Sequence, residues 1–184
     1  MTKTLQLAKP YDLSRLSAKV YVSKKYDGVP VRFNAYTADG MVWVDRGLSR
    51  QGEELHSTEW IRVRLAKMLN SRDYIGDGHL MVFIGEVMHE SYTGFKDISG
   101  VVRRKEPQTG LYVQLFDFWD AARPDDSFAH RLFAMQCILD RRQCHEVRLV
   151  QQLKLSSEQA ADLVSSVPDD QEGWIIRDAT ETFQ

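Results

Sequence analysis

A lysine and an aspartate stand two residues apart in the sequence Lys24-Lys25-Tyr26-Asp27-Gly28, inside a run rich in β-branched residues. Successive side chains of a strand point to opposite faces, so a strand here places Lys25 and Asp27 on one side and Tyr26 on the other. A protonated lysine is a poor nucleophile, but burial or nearby cations, including a bound metal, favour the reactive neutral amine. Lys25 is therefore a candidate nucleophile, and the alternative is an ordinary solvated lysine.

Three acidic residues lie in or beside apolar segments that predict buried strands: Glu86, Asp117 and Glu172. A carboxylate buried in a strand destabilises the fold unless it is paired, protonated, or bound to a ligand or metal. If these groups converge with Lys25 on one cleft, they supply a nucleophile and oxygen ligands for a hard divalent cation. This set is typical of nucleotidyl transfer, in which the lysine attacks an α-phosphate. The competing interpretation is that the three carboxylates are separately satisfied core groups.

Cations cluster at three places along the chain. The polar loop 45–52 contains Arg50, the predicted helix 57–71 has a basic face, and Arg103, Arg104 and Lys105 stand before Pro107. Such clusters can contact the phosphates of a nucleotide or of a nucleic acid. The alternative is solvated surface, which for the triplet means a solvated turn.

The composition indicates one soluble globular domain of 184 residues, 43% hydrophobic and 27% charged. A formal charge of −2 argues against a strongly basic protein that coats nucleic acid. No apolar run approaches a membrane span and no signal core follows the N-terminus, so we expect a cytoplasmic protein without a membrane partner. Cys137 and Cys144 are expected to share a helix, about 10 Å apart, which is too far for a disulfide.

The hydrophobic pattern predicts an α+β fold of antiparallel sheets flanked by helices. The first three strands are expected to form one antiparallel meander that carries Lys25, preceded by a segment 5–18 that lies across the domain. The predicted strands are 20–25, 31–36, 41–44, 80–87, 112–119, 147–150 and 171–178, and the predicted helices are 57–71, 128–142 and 156–167.

Six segments, in consistent order and spacing, resemble the motifs of covalent nucleotidyltransferases. Lys25-Tyr26-Asp27-Gly28 matches the lysine-x-aspartate-glycine signature, motif I, of DNA ligases, RNA ligases and mRNA capping enzymes. Over nearly the whole chain the resemblance is to small ATP-dependent DNA ligases of the bacterial or bacteriophage type. The segments are 7–12 with 22–28, the serine-arginine-x-glycine motif at 48–52, then 83–87, 95 with 99–105, 115–118, and motif IV at 172–177.

The resemblance implies a role for each matched residue. Lys25 would be the adenylated nucleophile, Ser23 would lie beside the adenine amino group, and Phe116 would stack on the adenine. The other implied groups are Asp27, Arg32, Arg50, Glu86 and Glu172 for the nucleotide, Glu86 and Glu172 for the metal, and Arg103, Arg104 and Lys105 for DNA. ATP and Mg²⁺ would be the cofactors, nicked duplex DNA the partner, and the protein a monomer.

Two departures from the family pattern bear on these expectations. The family has an arginine two residues after the motif I glycine, where this chain has Pro30, with Arg32 two residues further on. The motif V lysines, expected about ten residues beyond 177–183, and the OB-fold domain are not in the sequence. We therefore expect residues 1–184 to be an isolated nucleotidyltransferase, or adenylation, domain with an ATP-grasp-like fold. Such a fragment is expected to react slowly or not at all, and the intact parent to seal nicks.

Four alternatives remain open at this stage. An RNA ligase would use the same chemistry, although segments 49–52 and 99–105 favour the DNA branch. An NAD-dependent ligase tolerates a residue other than arginine at position 30, but has an upstream nicotinamide-binding domain for which the sequence has no room. A capping guanylyltransferase would be separated by its preference for GTP. A non-catalytic nucleotide- or DNA-binding module would bind without forming a covalent adduct.

Overall fold

Two β-sheets form the framework of the protein, which we describe from a computed structural model at residues 12, 17–70, 79–139, 144–167 and 172–183. The strands are β1 (Lys19–Lys24), β2 (Val29–Ala38), β3 (Met41–Val44), β4 (Leu80–His89), β5 (Leu111–Asp120), β6 (Val147–Leu149), β7 (Leu153–Ser156) and β8 (Trp174–Asp178). The helices are α1 (Glu59–Asn70), α2 (Phe95–Val102), α3 (Phe128–Leu139) and α4 (Ser157–Val164). One sheet has the strand order β3-β2-β4-β5-β6 and the other β7-β1-β8. The predicted α+β class is confirmed, with one parallel pair, β5 with β6, among antiparallel ones.

The five-stranded sheet forms the larger core together with α1 and α3. Phe33, Phe83 and Leu115 project from β2, β4 and β5 into this core and are fully buried with Leu65 of α1 and Met135 of α3. In α1 the buried positions recur every three or four residues, the spacing that keeps one helix face against a sheet. The sheet is therefore a firm platform whose opposite face is left for the cleft.

The three-stranded sheet packs on α4 around a much smaller core. Val20 and Val22 of β1 and Ala160 of α4 are its fully buried members. The predicted cap of α4 is confirmed at Ser156, whose hydroxyl accepts the backbone N–H of Gln159 in a capping box. The helix ends at Val164, three residues before the predicted end.

The first strand does not belong to the predicted meander. β1 pairs with β7 and β8 in the small sheet, while β2 and β3 belong to the large one. β1 also ends at Lys24, so Lys25, Tyr26 and Asp27 lie in the connection between the sheets and not in a strand. The connection passes close to β4 at Gly28, where a Cβ would lie 2.6 Å from the Val87 carbonyl oxygen, so only glycine fits.

Helix α2 replaces a segment for which sequence analysis expected no helix. Ile98, Val101 and Val102 are buried on one side of it, at spacings of three and four residues. The helix has only eight residues, one of them Gly100, so its periodicity is too short to stand out from a loop. It places the 103–105 cations at its C-terminal end.

The two cysteines do not share a described helix. α3 ends at Leu139, and Cys144 lies beyond it in an isolated bridge with Val147. Both thiols are free, as predicted. Most of the leading segment 5–18 lies outside the described residues, as do the predicted helix ends at 71 and 140–142.

Candidate active site

A cleft between the two sheets contains most of the predicted site residues. Its walls come from β1, β8 and α4 on one side and from β2, β4, β5 and α2 on the other. The predicted residues that line it are Ser23, Lys25, Asp27, Arg50, Glu86, Arg103, Arg104, Lys105, Phe116 and Glu172. Residues spread over most of the chain therefore meet at one place.

Lys25 and Glu172 meet because β1 pairs with β8. Lys24 stands opposite Trp174 in the ladder, and the Lys25 backbone N–H donates to the Gly173 carbonyl at 2.9 Å. The first residues beyond the ladder are thus neighbours, and the Lys25 ammonium forms an ion pair with the Glu172 carboxylate. Both side chains remain about one third or more exposed, 34% and 42%, so a ligand can reach them.

Glu86 lies on the cleft face of β4, half-buried below the Lys25 connection. Its carboxylate accepts the Gly28 backbone N–H at 3.0 Å. Burial raises the pKa of Glu86 above its ordinary value. The Gly28 bond and Lys25 lower this pKa, whereas the charges of Glu172 and Asp27 raise it. The described neighbours of Glu86 thus compensate its negative charge only in part.

Asp27 joins the β1–β2 connection to α2. Its carboxylate accepts the backbone N–H of Phe95, the first residue of that helix, at 3.1 Å. Negative charge is favourable at a helix N-terminus because the free N–H groups there carry partial positive charge. Asp27 therefore has a positional partner that the sequence pattern did not reveal.

Phe116 reaches the cleft through a β-bulge in β5. Ile84 of β4 pairs with Asp117 while Gly85 pairs with Leu115, so Phe116 is an extra residue in the ladder. A bulge of this kind turns a side chain away from strict alternation. Across the cleft, Trp174 and Ile176 of β8 pack with α4, which leaves Ile175 to face the cleft. Ile175 was not predicted, although the alternation of motif IV contains the signal.

Four predicted cations line the cleft, Arg50 from a loop and Arg103, Arg104 and Lys105 from the segment after α2. Arg50 follows Leu48, which pairs with Arg32 of β2, and its Nε is buried with no hydrogen-bond partner in the described part of the chain. Arg103, Arg104 and Lys105 follow the C-terminus of α2 and are exposed, with Arg104 donating to the Gln108 side chain at 2.9 Å. The partly buried Arg50 and the exposed Arg103, Arg104 and Lys105 together give the cleft positive charge that suits phosphate groups.

Ser23 and Arg32 occupy contrasting positions. Ser23 is buried on β1 opposite Ile175 and lines the cleft. Arg32 is buried in β2 opposite Ile84, and it does not line the cleft that the described residues form. The structure thus brings Ser23, but not Arg32, to the cleft surface.

Asp117 is not a cleft carboxylate, contrary to the prediction that it converges with the other acids. It is 2% exposed, and Arg131 of α3 donates to its two oxygens at 2.9 and 3.1 Å. Arg177 of β8 donates at 2.6 Å. Burial alone would lower the pKa of Arg177, but Asp117 and Glu181 raise it above its usual value. For this residue the interpretation as a satisfied core group is right.

Gln152 is a cleft residue that sequence analysis did not identify. It follows β6 in a segment where Val150 donates its N–H to the Leu115 carbonyl at 2.8 Å. The buried Oε1 of Gln152 has no hydrogen-bond partner among the described residues. No periodic or motif signal marked it, because it stands in the three-residue gap between β6 and β7.

The cleft carboxylates suit a metal ion that takes its other ligands from water and from phosphate oxygens. Within the described residues, no group of three or more His, Cys, Asp or Glu side chains could by itself hold a metal ion. Mg²⁺ commonly takes only one or two protein carboxylates and completes its shell with water and phosphate oxygens. Glu86 and Glu172 meet that requirement. The described helices include none long and apolar enough to cross a membrane.

Comparisons with known proteins assign the fold. No protein-family model matches the sequence, and no curated protein matches it. Among solved structures, a chain named Pmar-Lig_Pre. is 18% identical with a TM-score of 0.74, over 93% of this chain and 41% of that one. The ATP-dependent DNA ligase of bacteriophage T7, in complex with ATP, is 18% identical with a TM-score of 0.62, over 94% of this chain and 60% of the ligase. This is the fold of ATP-dependent ligases.

The ligase fold extends to enzymes of both nucleic acids. An archaeal ATP-dependent RNA ligase is 16% identical with a TM-score of 0.61, over 98% of this chain and 46% of that one. The predicted resemblance to the ligase fold is confirmed. The chain spans between about two fifths and three fifths of the length of these neighbours.

Proposed function

We propose that this chain is the nucleotidyltransferase domain of an ATP-dependent DNA ligase, and that Lys25 carries the AMP. The observation that supports this most directly is the meeting of Lys25, Glu86 and Glu172 in one cleft, with Phe116 and Ile175 on facing walls. A fold shared with a T7 ligase in complex with ATP supports ATP as the nucleotide. The chemistry is that of a lysine nucleophile beside carboxylates.

In the proposed first step, the neutral Lys25 amine attacks the α-phosphorus of ATP. A nitrogen–phosphorus bond forms, the bond from the α-phosphorus to the oxygen bridging the β-phosphate breaks, and pyrophosphate leaves with the electron pair. The Lys25 nitrogen, paired with Glu172 as an ammonium before reaction, loses two protons in all. The first leaves to solvent and gives the neutral amine, and the second passes to the Glu172 carboxylate as the nitrogen–phosphorus bond forms. The product is lysyl-AMP. In the later steps AMP would pass to a 5′-phosphate at a nick, and attack by the 3′-hydroxyl would release it.

The binding roles follow from position in the cleft. Phe116 and Ile175 would hold the two faces of the adenine, Ser23 would lie at its edge, and Glu86 would accept a ribose hydroxyl. Arg50 would contact phosphate. Glu86 and Glu172 would hold Mg²⁺, which neutralises charge on the phosphoryl oxygens. Arg103, Arg104 and Lys105 would contact the DNA backbone.

The test is the intact mass of the purified protein before and after Mg²⁺-ATP, with Lys25→Ala and Lys24→Ala as matched variants. We expect one added AMP in the wild type and in Lys24→Ala, removal of the adduct by pyrophosphate, and no adduct in Lys25→Ala. Absence of both adduct and ATP binding would contradict the proposal. ATP binding without an adduct would instead support a non-catalytic nucleotide-binding module.

An RNA ligase domain is the second candidate, because an archaeal RNA ligase shares the fold over almost the whole chain. The two candidates differ in the nucleic acid that Arg103, Arg104 and Lys105 would contact. Fluorescence anisotropy with nicked DNA and nicked RNA duplexes of the same sequence separates them. Tighter binding of the DNA duplex at equal salt is expected, and the opposite preference would favour the RNA ligase.

A further inference from the structure

An ionic cluster lies beside the cleft, and two of its members, Arg177 and Glu181, line it. The cluster, here called the Asp117 junction, consists of Asp117, Arg131, Arg177 and Glu181. The Asp117 carboxylate accepts a bidentate pair of hydrogen bonds from Arg131, at 2.9 and 3.1 Å, and one from Arg177 at 2.6 Å. Arg131 also donates to the backbone carbonyls of Asp126 and Glu181, at 2.8 and 3.0 Å. Arg177 forms a second ion pair with the Glu181 carboxylate.

The Asp117 junction ties the two sheets to each other. Asp117 belongs to β5 of the large sheet, whereas Arg177 belongs to β8 of the small one. The Phe128 ring lies 4.5 Å from the Arg177 guanidinium and packs edge-on against Tyr21 of β1 at 5.5 Å. An Arg–carboxylate pair has a strongly preferred geometry, since the planar guanidinium presents its donors in a fixed fork. The junction therefore constrains how far β8 stands from β5.

The same two strands carry the facing apolar walls of the nucleotide site. Phe116 directly precedes Asp117, at the bulge of β5. Ile175 stands two residues before Arg177, so both project from the same face of β8. The Asp117–Arg177 contact thus links the strand that carries Phe116 to the strand that carries Ile175. The Lys25–Glu172 end lies at the opposite end of the β1–β8 ladder, where the Lys25 N–H bond to Gly173 holds it.

We propose that Asp117 is a positioning residue that sets the separation of Phe116 and Ile175, and so the grip on the nucleotide's base. This inference rests on the proposed function. Asp117 does not touch the nucleotide in this arrangement; it acts through Arg177 and β8. Loss of the junction should weaken binding of the base while leaving binding of the phosphates almost unchanged.

The experiment compares two probes on the wild type, Asp117→Asn and Glu181→Gln. One probe is α,β-methylene ATP, which cannot transfer its adenylyl group, and the other is inorganic tripolyphosphate, which lacks the nucleoside. Base–aromatic stacking is strong enough that its loosening should weaken nucleotide binding by about tenfold in Asp117→Asn. Glu181→Gln, at a more exposed position, should give a smaller change of the same sign. Tripolyphosphate affinity should stay within about twofold in both, because no base stacking is lost.

Asn70→Ala is the matched control for general destabilisation. The Asn70 side chain joins α1 to β3: it accepts the Val42 backbone N–H at 2.6 Å and donates to the Val42 carbonyl at 2.7 Å. Neither residue lines the cleft. Its loss should leave the affinities for both probes unchanged. Equal weakening of both probes in Asp117→Asn, or no weakening of α,β-methylene ATP, would overturn the positioning role. If Asp117→Asn does not fold, unchanged nucleotide affinity in Glu181→Gln overturns it. A wild type that binds neither probe overturns the proposed function itself, and this inference with it.

Discussion

Asp117 and Glu86 are two carboxylates on the same face of neighbouring strands, and they differ in how their charge is compensated. Asp117 is bonded by Arg131 and Arg177. Glu86 accepts one backbone N–H from Gly28, and burial raises its pKa. A fully paired carboxylate stabilises the fold, whereas a carboxylate with acceptor capacity left over is available to a ligand. The number of partners, more than burial alone, separates a structural acid from a candidate site residue.

The largest effect on stability should come from breaking the better-paired acid. Asp117→Asn leaves Arg131 buried without its carboxylate partner and Arg177 with Glu181 alone. Loss of one partner of a buried pair typically costs about 3–5 kcal/mol. Urea denaturation of the variant and the wild type at neutral pH measures this difference. A loss below about 1 kcal/mol would mean that the pair behaves like an exposed one.

The same change of carboxylate to amide at Glu86 should act on activity. We expect Glu86→Gln to slow formation of lysyl-AMP by about a hundredfold, because it would weaken the hold on Mg²⁺ and on the ribose hydroxyl, and loss of one preorganised polar contact in a site has an effect of this size. Single-turnover mass spectrometry with Mg²⁺-ATP measures the rate. A rate equal to that of the wild type would remove Glu86 from the site.

Glu86 should also give a pH-dependent contribution to stability. Its folded-state pKa is raised above the ordinary value of 4.5, so protonation favours the folded state. That contribution is fully present below 4.5 and is lost as the pH rises through the folded-state pKa. Glu86→Gln should therefore be more stable than the wild type at neutral pH, and the advantage should vanish in acid. Urea midpoints measured from pH 4 to 8 test this; a variant less stable at pH 7 would contradict it.

The smallest effect is expected at an exposed pair. His145 Nε2 lies 2.6 Å from the Glu90 carboxylate, and the two side chains are 62% and 42% exposed. Glu90→Gln should change the free energy of unfolding by no more than about 0.5 kcal/mol, because solvent and salt screen such pairs. The same urea series measures it. A loss of unfolding free energy as large as that of Asp117→Asn would contradict the rule that paired carboxylates stabilise the fold more when they are buried.

Much of the fold and most of the cleft residues could be predicted from local pattern. Apolar runs located β4 and β5, helical spacing located α1 and α3, and turn residues located the β2–β3 hairpin. Ten of the twelve predicted site residues line the cleft, while Arg32 and Asp117 do not. Short elements escaped prediction: α2 is eight residues long, and its spacing is ambiguous over so few turns.

The sequence by itself determined which segments bury apolar faces and placed Lys25, Asp27 and Gly28 together, since neighbours along the chain need no folding to meet. Only the tertiary structure decided which distant residues pair. Glu172 reaches Lys25 across 147 positions through the β1–β8 ladder, and Arg177 reaches Asp117 across 60. Alternation reports that a strand is buried but not which strand lies beside it. That choice depends on long-range packing, and here it turned one predicted site acid into a structural one.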